Sequence, residues 1–291
     1  IEGHLIDSLM MPQIMDEVMD LEGEFEMLAF EVGRMKDDPS HAVMRIYGRD
    51  AAHLDELLTA ITAFGVVAVR PQDAVLEPAD MDGVFPDAFY STTNLPTFVR
   101  VGGEWVRVDH PEMDCGIRVD PAAGRAETVA MNDVRAGDLY VTGHRGIRVL
   151  PLERSRESQP FEFMASAVSS EKPKAQIVHE VANILRQVRD EGRLTIAVVG
   201  PAVVHTGAAP QLARLIETGY VGCVFGGNAI ATHDIESNLF GTSLGINLAS
   251  GAPVAGGHEH HLRAINTIRR AGGIRAAVDK GVLTGGLMYT L

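Results

Sequence analysis

Hydrophobic and polar residues alternate with a period of two in two segments near the start of the chain. The alternation runs from Leu28 to Val32 and again from Ala42 to Ile46. This period places successive side chains on opposite faces of an extended backbone, as in a half-buried strand. We therefore expect two strands here, each with one buried face.

A helical period follows the second strand. Apolar residues recur at helical spacing from Leu54 to Phe64, behind Asp50, a residue type that caps helix N-termini well. Gly65 is placed to end this helix, and the apolar run Val66–Val69 predicts a short buried strand. The segment 25–70 thus has the pattern of an α+β plait, which we interpret as a structural or dimerising module rather than a catalytic one.

The middle of the chain has short β-prone runs that are separated by Gly, Pro and Asp turns. The runs are Thr97–Val101, Glu104–Val108, Gly116–Val119, Asp138–Thr142 and Gly146–Val149. Short strands at this spacing predict a small, mostly β module. Pro151–Pro160, rich in charge and serine, has the composition of a linker.

The last part of the chain alternates helices with continuous apolar strands. An amphipathic helix over 177–188 precedes the apolar strand Leu194–Val199, and a helix over Pro210–Glu217 precedes a second strand, Val221–Phe225. Strands without polar alternation, interleaved with helices, predict a parallel sheet covered on both faces.

The predicted fold class is α/β with three modules. We expect residues 1–80 to form an N-terminal α+β plait module, 81–165 a small β-rich module, and 166–291 a Rossmann-like parallel sheet. The chain starts at Ile1 without a methionine, and Gly286–Leu291 has the pattern of a strand that is beginning. We therefore expect a fragment of a longer polypeptide, with the Rossmann-like domain incomplete at its C-terminus.

Composition excludes several classes of protein. The 291 residues are 46% hydrophobic and 22% charged, unlike a disordered or fibrous chain. No apolar run approaches the ~18 residues of a membrane span. Two cysteines do not make a disulfide framework, which favours a reducing, cytoplasmic setting. A net charge of −14 argues against a nucleic-acid partner.

The charge is unevenly distributed. Residues 1–170 carry 30 Asp and Glu against 14 Lys and Arg, a net −16, whereas residues 171–291 carry 9 against 11, a net +2. An anionic ligand such as a dinucleotide therefore suits the second part better, and a cationic substrate suits the first.

Two glycine turns follow the two apolar strands of the last module. They are Val199–Gly207 and Phe225–Asp234. Ligands of parallel sheets bind at the carboxyl ends of the strands, where glycines let the backbone approach a phosphate. Neither turn has the G-x-G-x-x-G fingerprint, so dinucleotide binding and two ordinary strand-to-helix turns both remain open.

Five histidines crowd the same module. They are His205, His233, His258, His260 and His261. The spacing is wrong for H-E-x-x-H, so we expect no metal and favour helix-capping or phosphate-contacting roles. His233 with Asp234, just past the second glycine turn, suits either ligand contact or a local hydrogen bond.

Three polar clusters mark the β-rich module: Phe89–Asn94, Glu112–Cys115 and Met131–Asp133. The first is dense in hydroxyls and amides, which suits a small polar substrate but is also typical of a capped turn. Asp114 beside Cys115 is interpreted either as a base next to a thiol or as an acid next to an inert, buried cysteine.

Seven motifs follow one another along the chain: Gly3–Ser8, Phe89–Asn94, Met113–Cys115, Ser169–Pro173, Val199–Gly207, Gly227–Glu236 and Leu239–Ser243. Together they resemble the motifs of the lysine-ketoglutarate reductase/saccharopine dehydrogenase (LOR/SDH) conserved-region family. This family includes archaeal ornithine cyclodeaminases and the C-terminal half of cyanobacterial arginine dihydrolase/ornithine cyclodeaminase fusions. The resemblance covers essentially the whole chain.

The resemblance implies an NAD-dependent ornithine cyclodeaminase that converts L-ornithine to L-proline and ammonia by internal hydride transfer. It implies Asp114 as base or ammonium anchor beside Cys115, Asn94 as the residue that orients the substrate, and Lys172 or Arg118 as the carboxylate partner. The residues implied for cofactor binding are Gly200, Pro201, His205, Thr206, Gly207, Gly227, Asn228, His233, Asp234 and Ser243.

Two alternatives stay open from the sequence. One is an NAD(P)-dependent amino-acid dehydrogenase or reductase of the lysine–saccharopine type, which would accumulate reduced cofactor. The other is a non-catalytic nucleotide-binding module. In the favoured interpretation the partners are a small cationic amino acid and further copies of the chain in a cytoplasmic homo-oligomer.

Overall fold

The computed structural model divides into two compact units, Ile1–Ser158 and Gln159–Leu291. The residues it describes are 2–3, 10–33, 40–62, 64–69, 71–150, 174–227, 229–248, 254 and 257–291. The expected linker Pro151–Pro160 and the motif Ser169–Pro173 lie outside the described residues. The module boundaries expected near 80 and 165 stay predictions.

The first unit contains the plait and the β-rich module. Its helices are α1 (Met10–Asp20) and α2 (Ala51–Thr62). Its strands are β1 (Glu2–Gly3), β2 (Glu24–Glu31), β3 (Ser40–Tyr47), β4 (Val75–Pro78), β5 (Thr97–Val101), β6 (Glu104–Asp109), β7 (Gly116–Asp120), β8 (Arg125–Val129), β9 (Leu139–Thr142) and β10 (Ile147–Val149).

The N-terminal strands form an antiparallel sheet in the order β1-β3-β2, against which α1 and α2 pack. Ile14 and Val18 of α1 and Leu57 and Ile61 of α2 are buried in this core because the helical period brings them onto one face. Asp50 caps α2 as predicted, since its Oδ1 accepts the backbone N–H of His53 at 2.8 Å. Both alternating segments are strands, as predicted.

The buried face expected for the first of these segments is not found. Leu28, Phe30 and Val32 are 47%, 42% and 52% exposed, because the core of the two helices packs against the start of β2, at Phe25.

The strand predicted at Val66–Val69 was wrong. The segment has no regular structure and lines an apolar cavity of about 600 Å³ together with β3 and α2. The apolar run predicts burial, but a strand also needs a partner for its backbone groups. Among the described residues this segment pairs with no strand.

A second sheet has the order β10-β5-β6-β8-β7-β9-β4 in the described part of the chain. Val99, Val108, Ile117 and Val141 are buried in its core. All five strands predicted for this module are present. Two further strands, β4 and β8, were not predicted because neither has a strong apolar pattern.

The second unit has the alternating order expected of its sequence. Its elements are α3 (Lys174–Asp190), β11 (Ile196–Val199), α4 (Ala202–His205), α5 (Ala209–Glu217), β12 (Cys223–Gly226), α6 (Ile230–Phe240), β13 (Thr242–Ser243), β14 (Ile246–Asn247), α7 (His260–Ala271), α8 (Ile274–Asp279) and α9 (Leu287–Thr290). None of the described helices has the length and apolar character needed to cross a membrane.

Strands β11 and β12 pair in parallel, with Ile196 opposite Cys223 and Val199 opposite Gly226. The parallel pairing confirms the predicted arrangement. Coverage of both sheet faces is not found, because Val198 is 79% and Phe225 59% exposed. The described part of the sheet therefore keeps exposed apolar side chains.

The strand expected at the C-terminal end of the chain was also wrong, because Leu287–Thr290 is helix α9. The carboxylate of Asp234 accepts the backbone N–H groups of Leu287 and Met288 at 2.8 and 2.7 Å. These are donors of the first helical turn, which otherwise lack partners. Gly286 precedes them with a φ of +93°, and a Cβ there would lie 2.8 Å from Asp234 Oδ2.

Candidate active site and nucleotide-binding site

Thr92 joins two of the three polar clusters of the first unit. Its backbone N–H donates to the carbonyl of Cys115 at 2.9 Å, and its carbonyl accepts the N–H of Asp114 at 3.0 Å. Its hydroxyl accepts the N–H of Cys115 at 3.1 Å and donates to the carbonyl of Glu112 at 2.5 Å. We call Tyr90–Asn94 and Glu112–Cys115, held together in this way, the Thr92 loop pair.

The Thr92 loop pair presents the polar side chains predicted for the substrate. Asn94, Glu112 and Asp114 are all exposed. Asp114 has a φ of +62°, a left-handed conformation that Asp and Asn tolerate better than other non-glycine residues. Left-handed residues of this kind cluster at functional sites. The third cluster, Met131–Asp133, forms a 3-10 turn in which Met131 is buried.

Cys115 differs from its neighbours because it is buried. Its thiol lies 3.6 Å from the carbonyl of Met113, to which it donates. Burial, together with the nearby carboxylates of Glu112 and Asp114, raises the pKa of this thiol to about 11. The thiol is therefore neutral near pH 7 and unsuited to nucleophilic attack.

We expect Thr92→Val to lower the free energy of unfolding by about 1–3 kcal/mol. The substitution removes a hydroxyl that bonds the backbones of Glu112 and Cys115, and it leaves the buried N–H of Cys115 without this partner. Thr92→Ser keeps the hydroxyl and serves as the control. Denaturant unfolding measures both, and equal stability of Thr92→Val and the unsubstituted protein would contradict the role given to Thr92.

The neutral thiol gives a second expected result. With a pKa of about 11, only about 0.1% of Cys115 is thiolate at pH 8, against about a quarter of an ordinary cysteine. In a Cys223→Ser variant, a thiol reagent should react at least about 100-fold more slowly with the folded protein than with the denatured protein. Reaction at equal rates would show that the thiol is neither buried nor perturbed.

Arg118, one of two candidates for the substrate carboxylate, is already paired. Its guanidinium lies 2.5 Å from Glu127 Oε1 and 2.9 Å from Asp138 Oδ2, and these partners raise its pKa. These two ion pairs already use the guanidinium group to which a substrate carboxylate would bind. The other candidate, Lys172, lies outside the described residues.

The second unit brings both glycine turns to one edge. Because β11 and β12 are parallel and in register, Gly200 and Gly227 follow their carboxyl ends side by side, and the N–H of Gly227 donates to the carbonyl of Val199 at 3.0 Å. We call this place the glycine-turn edge. A Cβ built on either Gly200 or Gly227 meets no atom within 4 Å, so both glycines border open space.

The remaining residues predicted for the cofactor flank this edge in different ways. Pro201 is the N-cap residue of α4, and Gly207 follows the same helix with a φ of +73°. Thr206 is exposed, and its hydroxyl donates to the carbonyl of Ala202 at 2.7 Å. Asn228 lies outside the described residues.

His205, His233 and Ser243 come together beside the glycine turns. His205 Nδ1 lies 2.7 Å from Ser243 Oγ, and the rings of His205 and His233 are 5.1 Å apart. Partial desolvation, together with the nearby His233, lowers the pKa of His205. The structure thus joins three of the predicted residues into one polar cluster.

Asp234 points elsewhere. It is buried, and both of its carboxylate oxygens accept backbone N–H groups of α9. This gives it a structural partner, while its contact with a cofactor stays a prediction. Among the described residues, no group of three His, Cys, Asp or Glu is arranged to hold a metal ion.

Two residues of this cluster were not predicted. Glu236 is fully buried and its Oε2 lies 3.1 Å from His233 Nδ1, and Thr242 donates to Glu236 Oε1 at 3.0 Å. The contact between His233 and Glu236 could have been predicted from their i, i+3 spacing on a helix. Nothing in the local pattern indicates the second.

Models of known protein families cover the whole chain. Residues 1–95 match the "LOR/SDH bifunctional enzyme conserved region". Residues 96–178 match "Arginine dihydrolase ArgZ-like, C-terminal, first region", and residues 179–291 match "Arginine dihydrolase ArgZ-like, C-terminal, Rossmann fold".

Curated relatives match over nearly all of the chain. Ornithine cyclodeaminase of Methanocaldococcus jannaschii is 48% identical over 99% of this chain and 70% of its own length. Ornithine cyclodeaminase of Methanopyrus kandleri is 49% identical over the same shares. The bifunctional arginine dihydrolase/ornithine cyclodeaminase AgrE of Nostoc is 41% identical, and the chain spans 42% of its length.

A solved structure of unliganded AgrE superposes with a TM-score of 0.83 at 39% identity, over all of this chain and 42% of that one. The ternary complex of AgrE with ornithine and NAD+ superposes with a TM-score of 0.82 at 38% identity, over all of this chain and 41% of that one. The fold is therefore that of an α/β protein with a Rossmann-type C-terminal region. The chain belongs to the LOR/SDH conserved-region family with ArgZ-like C-terminal domains, which confirms the resemblance drawn from its motifs.

Proposed function

We propose that this protein is an NAD-dependent ornithine cyclodeaminase, which converts L-ornithine to L-proline and ammonia. The observation that carries the proposal is the match to archaeal ornithine cyclodeaminases over 99% of the chain at 48–49% identity. The ternary complex of the structural relative AgrE with ornithine and NAD+ supports it. The acidic first part of the chain also suits a substrate with two amino groups.

The glycine-turn edge fits a dinucleotide. A backbone without Cβ atoms at Gly200 and Gly227 leaves the space that a pyrophosphate needs, and the parallel strands end where such ligands bind. The N-terminus of α6 begins at this edge, and the positive end of a helix favours an anionic group. Gly200, Pro201, Thr206, Gly207 and Gly227 would surround the phosphates.

His205, His233 and Ser243 would contact a part of the same ligand outside its phosphates. The cluster of His205, His233 and Ser243 offers ring nitrogens and a hydroxyl within one small volume. NAD, when bound, supplies a hydride acceptor for the α-carbon of ornithine and returns the hydride after the ring has closed. Because the cofactor is regenerated in every cycle, it can stay bound.

The Thr92 loop pair would handle the substrate. The exposed carboxylate of Asp114 takes a proton from the α-amine or holds the δ-ammonium, and Glu112 adds negative charge beside it. Asn94 would orient the substrate through its amide. Cys115, with its neutral thiol, has the role of a packing residue under these side chains rather than that of a nucleophile.

The reaction is tested with L-ornithine that carries deuterium at its α-carbon. Internal return of the hydride predicts proline with deuterium at C2 and one ammonia per proline. Reduced, deuterated cofactor that accumulates instead would favour a dehydrogenase. A cytoplasmic setting and assembly into a homo-oligomer stay predictions, and gel filtration with light scattering tests the second.

A further inference from the structure

The carboxylate of Glu236 is the centre of a buried hydrogen-bond network in the second unit. Oε2 lies 3.1 Å from His233 Nδ1 and 3.3 Å from the backbone N of Leu244. Oε1 lies 3.0 Å from Thr242 Oγ1 and 3.3 Å from the backbone N of Gly245. Burial of a carboxylate is tolerated when such donors replace water, and here four of them converge on fully buried oxygens.

The directions of these hydrogen bonds determine which ring nitrogens carry protons. A carboxylate oxygen accepts, so Nδ1 of His233 must be the donor, and in the neutral form of the ring Nε2 is then the acceptor. The single hydroxyl proton of Thr242 goes to Glu236, so Thr242 Oγ1 must accept from His260 Nδ1, 2.8 Å away. One carboxylate thus sets the tautomer of two imidazoles.

The same carboxylate holds a hairpin. Leu244 and Gly245 join β13 to β14 with φ values of +52° and +73°, as a type I′ turn requires. A leucine is unfavourable at positive φ, and the two N–H bonds to Glu236 compensate for this. The hairpin carries Ser243, whose hydroxyl meets His205 at 2.7 Å.

We propose that Glu236 is a positioning residue of the nucleotide-binding site in the second unit. It acts directly on His233, by keeping the proton on Nδ1 and leaving Nε2 of the neutral ring as a hydrogen-bond acceptor. It acts indirectly on His205, by holding the hairpin that places Ser243. The catalytic consequence rests on the proposed function, whereas the tautomer of His233 does not.

Several titratable groups lie around His233. His205 on α4 lies beside its ring, Glu236 accepts from it on α6, and His260 on α7 is connected through Thr242. Asp234, the neighbouring carboxylate on α6, is turned to the N-terminus of α9. Glu236 is therefore the carboxylate that bonds the His233 ring in the described part of the unit.

The experiment is ¹⁵N NMR of the histidine rings in the unsubstituted protein and in Glu236→Gln. The unsubstituted protein should show neutral His233 protonated on Nδ1. In Glu236→Gln the side-chain amide offers a donor as well as an acceptor, so the Nδ1–H form should lose its dominance. We expect kcat for proline formation to fall by about 10–100-fold, with a smaller change in KM.

Asp234→Asn is the matched control, since it neutralises an equally buried carboxylate on the same helix. It should lower stability through α9 and leave the tautomer of His233 unchanged. His233 protonated on Nε2 in the unsubstituted protein would overturn the inference without any variant, as would a Glu236→Gln spectrum identical to the original. If the unsubstituted protein forms no proline, the proposed function is refuted, and the result on the tautomer of His233 still stands.

Discussion

Asp114→Asn is expected to lower kcat/KM for L-ornithine by about 100-fold or more. Asparagine keeps the size of the side chain but neither takes up a proton nor balances the charge of an ammonium group. The change isolates chemistry from folding because Asn tolerates the φ of +62° at this position as well as Asp does. Steady-state proline formation measures the effect.

Glu112→Gln is the matched control for Asp114. Glu112 is an exposed carboxylate in the same loop, two residues away. If long-range charge alone mattered, both variants would lose activity to a similar, salt-dependent extent. A specific role for Asp114 predicts a much larger loss of activity from its substitution than from that of Glu112. Full activity of Asp114→Asn would show that Asp114 has no role in the reaction.

Gly227→Ala is expected to weaken NAD binding by at least about 10-fold while the protein folds as before. The added methyl group meets no protein atom within 4 Å, and Gly227 does not have a positive φ. Such a change leaves the unfolding free energy unchanged or raises it by up to about 1 kcal/mol, because it restricts the unfolded chain. The methyl group would instead occupy the space proposed for a phosphate.

Equilibrium binding of NAD and thermal unfolding without NAD separate these two effects. The expected pattern is lower affinity with unchanged or higher stability. Gly207→Ala provides a contrast, because the φ of +73° at Gly207 strains any other residue and lowers stability directly. Unchanged affinity in Gly227→Ala would mean that the glycine-turn edge is only a pair of strand-to-helix turns.

Local pattern predicted the position of most elements. The alternation at Leu28–Val32 corresponds to strand β2, although its apolar side chains are exposed, and the helical spacing behind Asp50 corresponds to α2 with the expected cap. The apolar strand before Gly200 was found for the same reason. These signals are short-range, so a single sequence carries them.

The errors come from interactions between distant residues. Strand β8 contains Arg125 and Glu127 and becomes a strand because β6 and β7 flank it. Val66–Val69 is apolar but pairs with no strand in the described part of the chain. Leu287 begins a helix because Asp234, 53 residues earlier, accepts its N–H.

The candidate site shows the same division. The clusters around Asn94, Asp114 and the glycine turns were found from residue types and spacing. Their organisation was not, because Thr92 bonds residues about 20 positions away and Glu236 bonds a hairpin that the sequence does not predict. Of these contacts, the one between His233 and Glu236 could have been predicted from helical spacing.

The most direct test of the whole account combines cofactor and product analysis on one preparation. The protein is denatured and the released NAD is measured, and the native protein is incubated with L-ornithine while ammonia and proline are followed. The account predicts bound NAD and equal amounts of ammonia and proline, with no accumulation of reduced cofactor. Absence of NAD together with absence of proline would contradict it.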